Sequence, residues 1–188
     1  IAIVMLGLFT LQLSAQNITN KEWAELSEMY DNEEWEKTGG LALTLLNKTE
    51  DKESDQYAKI LYMYIFSVAG QVIDEKMTID EAEQTLNQYI GQNIITPPRP
   101  VTDQSMGANT LILNKEFPIA GFSVTQGSNP AYIHSYEQFT FSYPVKYSEY
   151  KDMSVACGGK LSSVKVNRKE NERWVFDLQF NECFVIRQ

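Results

Sequence analysis

The hydrophobic period of this chain changes at Thr96-Pro97-Pro98-Arg99-Pro100, and that change limits the folds open to it. Each proline lacks an amide donor and pushes its predecessor into an extended conformation, so no helix can pass through. Before this point apolar residues recur at helical spacing. After it they alternate one by one. The pattern predicts an α+β chain: helices over 17–95, a Pro-rich linker over 96–109 and a β domain over 110–188.

The helical half carries its own start signals. Thr19-Asn20-Lys21-Glu22 and Thr78-Ile79-Asp80-Glu81 both spell capping boxes, in which the threonine hydroxyl and the glutamate satisfy each other's backbone amides. The first box opens a helix with Trp23, Leu26 and Tyr30 on one face, ended at Asp31-Asn32. A second helix spans Trp35 to Asn47, weakened by Gly39-Gly40. Tyr57, Ile60, Leu61, Tyr64, Ile65 and Val68 follow the i, i+3, i+4, i+7 pattern, and Tyr62, Met63 and Phe66 widen the stripe. That helix is expected to be buried between neighbours and to end near Gly70. The second box opens a fourth helix with Ala82, Leu86, Tyr89 and Ile90 inward and Gly91 as its cap.

The second half reads as strands. Phe139, Phe141 and Tyr143 alternate with Thr140 and Ser142, and Trp174, Phe176, Leu178 and Phe180 alternate with Val175, Asp177 and Gln179. Leu161 to Val166 and Phe184 to Ile186 are further strands. Turns are expected at Gln126 to Pro130, at Gly158-Gly159 and at Asn167 to Arg173. Six or seven short strands without helical interruption predict a small antiparallel barrel or sandwich.

The first sixteen residues, IAIVMLGLFTLQLSAQ, carry no charge and close on Leu-Ser-Ala-Gln. This is the apolar core and small-residue cleavage region of a secretory signal peptide. The chain opens on Ile1 without the charged start of such a signal, which reads as a gene model cut a few residues short. A membrane span needs about 20 apolar residues, and here the run is over by Leu13. The expected product is exported, soluble and located in the periplasm or outside the cell.

Charge and composition narrow the partners. Residues 17–98 hold 6 Lys/Arg against 16 Asp/Glu, whereas residues 99–188 are close to neutral. An acidic half would repel a phosphate backbone, so nucleic acid is excluded as a partner. The cluster Glu33, Glu34 and Glu36 at a helix start favours the helix dipole and is the natural contact for a protein partner with a basic patch. Cys157 and Cys183 are the only cysteines. An exported chain favours a bridge between them, worth about 3 kcal/mol in the chain-entropy account; two buried free thiols are the alternative. His134 is the single histidine. Tyr132, His134 and Tyr136 would share one strand face, as a ligand platform or as rings packed on a neighbour. One histidine and two cysteines cannot complete a tetrahedral zinc site without carboxylates. No phosphate loop, nucleophile elbow, zinc-protease or calcium-loop spelling occurs. No catalytic residue, metal or cofactor is therefore assigned.

Two resemblances add to this reading. Trp23-x2-Leu26-Ser27-x2-Tyr30 resembles the tetratricopeptide-repeat signature, with Gly39 and Leu43 at its later small and aromatic positions. The match covers about one repeat, and Leu46 and Asp51 depart from it. It implies a four-helix tetratricopeptide-like unit that binds protein, with Trp23, Tyr30 and Trp35 in its core. Val155 to Val166, bent at Gly158-Gly159, resembles the long first strand of an oligonucleotide/oligosaccharide-binding barrel, with Trp174 to Phe180 as the next strand. That likeness implies glycan or other polymer binding. The ending Leu-Ser-Ala-Gln is similar to exported proteins of the Bacteroidota, in which the sequons at Asn17 and Asn47 would be idle. The leading expectation is a non-catalytic binding or scaffolding protein of the cell envelope. Glycan binding is second, and a hydrolase using paired carboxylates is third.

Overall fold

Both capping boxes form. The Thr19 hydroxyl accepts from the Glu22 amide at 3.2 Å and Glu22 Oε2 accepts from the Thr19 amide at 2.8 Å, which starts α1 at Asn20–Asp31. The computed structural model describes residues 18–103, 107–114, 119–169 and 174–187, so the segment read as an export signal lies outside the described residues. α2 spans Trp35–Lys48 and folds back on α1. Lys48 reaches Glu22 at 2.9 Å. The hydrogen bonds from Lys48 and Thr19 hold the Glu22 carboxyl down at about 2.

α3, Asp55–Ile73, is capped by the Ser54 hydroxyl and is buried from Tyr57 to Gly70 at every position except Lys59. A helix apolar on all sides must be covered on all sides, and here α2 and the sheet do so. Gly70 does not end this helix. A Cβ there would fall 2.3 Å from Trp35 Cγ, so the missing side chain is the seat of the Trp35 indole. α4, Ile79–Asn87, buries Ala82 and Leu86. It stops short of Tyr89 and Ile90, and Ile90 is exposed. Gly91, at φ +91°, turns the chain into the sheet instead of capping the helix directly.

Seven strands follow: β1 Asn93–Ile95, β2 Arg99–Thr102, β3 Leu111–Leu113, β4 Ala120–Thr125, β5 Ile133–Phe141, β6 Ser154–Val166 and β7 Trp174–Arg187, with the short α5, Tyr147–Tyr150, before β6. The order is β1-β6-β2-β3-β4-β5-β7, and β6 also pairs with β7, so the ladder closes on itself. The sheet is mixed, not antiparallel as expected. β2–β3 and β5–β7 are parallel. For β5 and β7 the reason is the path: the chain leaves β5 through α5, runs β6, and returns as β7 in a hairpin with β6. β6 lies between them in sequence but not in space, so β7 runs with β5.

Three further expectations change. The Pro-rich stretch does not merely link two units, because it carries β2 into the sheet. Helical residues such as Leu26, Leu61 and Ile65 share one core with Phe139, Phe176 and Phe180 of the strands. Gly158-Gly159 is no turn. Both lie inside β6, where register shifts bend the strand.

The two glycines differ in what they make room for. A Cβ on Gly158 would meet the ring of Phe184, which is exposed and free to move. A Cβ on Gly159 would meet Cys183 Sγ at 2.6 Å and the Asn181 backbone oxygen at 3.0 Å. Gly159→Ala is therefore expected to cost about 1–3 kcal/mol, the range for overpacking a tight site, and Gly158→Ala clearly less. Urea midpoints of the two variants check this; equal costs would mean that the β6–β7 bend yields at both positions.

A groove beside a buried ionic cluster

α1 presents Trp23, Ser27 and Tyr30 beside its buried Leu26, one step of the helical repeat apart. α3 presents Asp55, Lys59 and Met63 on the same side. Against them stand Ile95, Thr96, Pro97 and Pro98, with Ala156 and Ile186 also lining the space. The result is a cavity of about 340 Å³ with apolar walls and the carboxylates Asp31 and Asp55 among its lining. A second cavity of about 250 Å³ shares Tyr30, Asp31, Pro97 and Pro98 with the first and continues to Trp35, Phe66 and Gln126. The Pro-Pro segment holds this groove open, because it is stiff and cannot collapse into a helix against α1. Of the expected aromatic core Trp35 is fully buried; Trp23 and Tyr30 are half-buried, packed against the core on one side, Tyr30 on the rings of Trp35 and Phe66, and lining the groove on the other.

Beneath the second cavity lies a polar cluster in the core. Arg99 Nη1 donates to Glu137 Oε2 at 2.5 Å, and both side chains are buried. Arg99 Nη2 also donates to the Tyr62 hydroxyl. That hydroxyl in turn donates to Glu137 Oε1 at 2.7 Å. Ser135 Oγ reaches the same Oε1 at 3.1 Å, and Thr125 Oγ1 lies 2.6 Å from Ser135 Oγ. Burial opposes the Arg99 charge, but Glu137 beside it outweighs that and the guanidinium's pKa is raised. Burial raises the Tyr62 phenol well above its ordinary value. The cluster ties α3, β2, β4 and β5 together. Its one signal in the sequence is alternation: Ser135, Glu137, Phe139 and Phe141 share one phase of β5, which places Glu137 on the inner face.

The expected site residues scatter. Glu33, in a left-handed conformation at φ 57°, accepts from the Ser128 hydroxyl at 2.6 Å and from its amide. It is a clasp between the α1–α2 turn and the β4–β5 loop, not a solvated contact. Glu34 pairs with Lys37 at 2.5 Å, and Glu36 is exposed. Tyr132, His134 and Tyr136 form no common platform. Tyr132 is exposed in the turn before β5. Tyr136 sets its ring edge-on to Trp174. His134 is buried, stacked on Phe66 with ring centres 4.1 Å apart and edge-on to Trp35. Its Nδ1 accepts from the Gly127 amide at 3.1 Å. Burial pushes its pKa down to about 4, against a smaller upward pull from Glu33.

The disulfide is also absent. Cys157 and Cys183 are buried free thiols. The bent register pairs Cys157 with Val185, while Cys183 Sγ lies against Gly159 and points to Asn181 O at 3.7 Å. Burial raises both thiols, Cys183 to about 12, so neither is a nucleophile at neutral pH.

Among the described residues no group of three or more His, Cys, Asp or Glu side chains converges to hold a metal ion. No described helix is long and apolar enough to cross a membrane. Comparison with protein families, curated proteins and solved structures finds no match to this chain.

Proposed function

We propose that this chain is an exported, non-catalytic binding protein of the cell envelope, and that its groove takes an apolar, basic segment of a protein partner. The observation that carries the reading is the pair of half-buried aromatics, Trp23 and Tyr30, on one wall of a cavity whose charged lining is Asp31, Asp55 and Lys59, one negative charge in balance. Aromatic side chains of this kind dominate binding energy where a partner can cover them. The acidic balance of residues 17–98 favours encounter with a basic segment. The apolar run over 1–16 supports export. In the same reading α1 to α4 act as a tetratricopeptide-like unit, supported by the Trp23 to Leu43 spelling, and the closed ladder acts as a small barrel.

Selection of a random 12-residue peptide library on the intact protein tests it. Enriched peptides should combine apolar residues with Lys or Arg and should weaken with salt. Trp23→Ala should fold and yet lose at least ~10-fold in affinity, about 1.4 kcal/mol. No enrichment, or peptides that bind the Trp23→Ala protein equally well, would reject the groove as a partner site.

A further inference from the structure

The inner end of the groove is walled by the β4–β5 loop, and one proton can undo the contacts that hold this loop. The second cavity, which continues the groove, is bounded there by Asn109, Gln126 and Gly127. Three contacts fix the loop. The Asn109 side chain donates to the Gln126 carbonyl at 2.8 Å and accepts from its amide at 3.1 Å. The Ser128 hydroxyl and amide both donate to the Glu33 carboxylate. The Gly127 amide donates to His134 Nδ1 at 3.1 Å. A Cβ on Gly127 would lie 2.9 Å from His134 Cε1 and 3.1 Å from Glu33 Oε1. The imidazole and the carboxylate therefore face each other across this one residue.

We propose that the β4–β5 loop is an acid-released latch: when His134 takes up a proton, the loop swings out and the inner end of the groove opens. This regulates the binding site proposed above and rests on that reading for its purpose, though not for its mechanism. The mechanism follows from where the protons can go. Because Nδ1 accepts, the neutral ring carries its proton on Nε2. Nε2 is buried and bonds to no described residue. A second proton must go to Nδ1, where the Gly127 N–H already stands. Two donors cannot share one contact, so the ring is protonated only as the amide withdraws. Withdrawal of Gly127 draws Ser128 away from Glu33. The freed carboxylate is then the partner at hand for the imidazolium. The closed loop and the ion pair are alternative arrangements of the same residues, the two-state element that a switch requires. The other neighbours of the ring carry no charge. α2 and α3 bring the rings of Trp35 and Phe66. β7 runs alongside with Trp174, Val175 and Phe176, and β4 ends beside it at Thr125. Glu33, from the α1–α2 turn, is the charge that acts on the ring. The Asn109–Gln126 clip does not titrate, so it stays as the hinge.

Amide hydrogen exchange of the intact protein, followed by NMR between pH 7.5 and 5, tests the latch. It needs no ligand, so its outcome is independent of the peptide selection. The chain has one histidine, so the ring signal can be read in the same sample. The ring takes its proton near 6.5 once the loop is away and resists it while the loop is closed. Protection of the Gly127 and Ser128 amides, relative to an unstructured chain, should therefore fall ~10-fold for each pH unit below 6.5. Both should exchange at least ~100-fold faster than the amide of the buried Phe139, because the loop opens without unfolding the protein. In His134→Asn the side-chain oxygen stands in for Nδ1 as acceptor and takes no proton, so protection should stay level. Ser128→Ala, at an exposed position, should lower Gly127 protection at every pH and leave its slope unchanged. Level protection in the wild type, an equal fall in His134→Asn, or loss only in step with Phe139 would each overturn the proposal. The expected slope without any peptide enrichment would reject the binding reading and leave the latch standing.

Discussion

Glu137→Leu is expected to destabilise the protein by about 3–5 kcal/mol, the cost of leaving a buried charge without its partner. Among the described residues Arg99 then keeps the Tyr62 hydroxyl and ring as partners, at a buried position. The loss of Glu137 itself is not the main term. Replacing the whole cluster, with Arg99→Met, Glu137→Leu and Tyr62→Phe together, should recover most of the stability, because well-packed apolar groups often match or exceed a buried ion pair. The comparison needs urea unfolding of the single and triple variants at pH 7. A single variant within about 1 kcal/mol of wild type would show that water reaches Arg99 through the adjacent cavity. A triple variant as unstable as the single one would show that the cluster also sets the docking of β2.

The second large effect concerns acid. In the unfolded chain His134 titrates near its ordinary value of 6.5; in the folded protein burial holds it at about 4. Above pH 6.5 the ring is neutral in both states and its contribution to stability is fully present. As pH falls from 6.5 to 4 the unfolded chain takes up a proton that the folded protein refuses, so stability falls, by about 3 kcal/mol over the interval. The groups that face the ring are Phe66, Trp35, the Gly127 amide and the Glu33 carboxylate. Only Glu33 opposes the shift. Glu22 titrates elsewhere: its contribution is present above 4.5 and is lost as pH falls toward about 2. The two windows therefore separate. Stability of wild type and His134→Leu, followed by urea midpoint from pH 7.5 to 4, should diverge in slope between 6.5 and 4. Parallel profiles would mean that the imidazole is not held neutral by its aromatic surroundings.

The sequence by itself determined where the helices begin and which segments alternate. A capping box is closed by residues three apart, and a helical stripe by residues three and four apart. Such signals need no distant partner, so Thr19–Glu22 and Thr78–Glu81 were readable in isolation. The same holds for the all-round apolar character of α3. The tertiary structure alone decided the rest. Whether β7 lies beside β5 depends on the route of the chain through α5 and β6, and no local residue records it. Gly70 looks like a helix stop until Trp35 is seen lying on it. Tyr62, Arg99 and Glu137 are separated by 37, 38 and 75 positions along the chain. Only packing α3 against the closed ladder brings them within hydrogen-bond reach. The groove has the same origin: its walls come from α1, α3 and a proline segment that the sequence marks as a boundary. A proline run reports that no helix can pass. It does not report that the strand beside it is buried, because burial is a property of what the whole chain places on top.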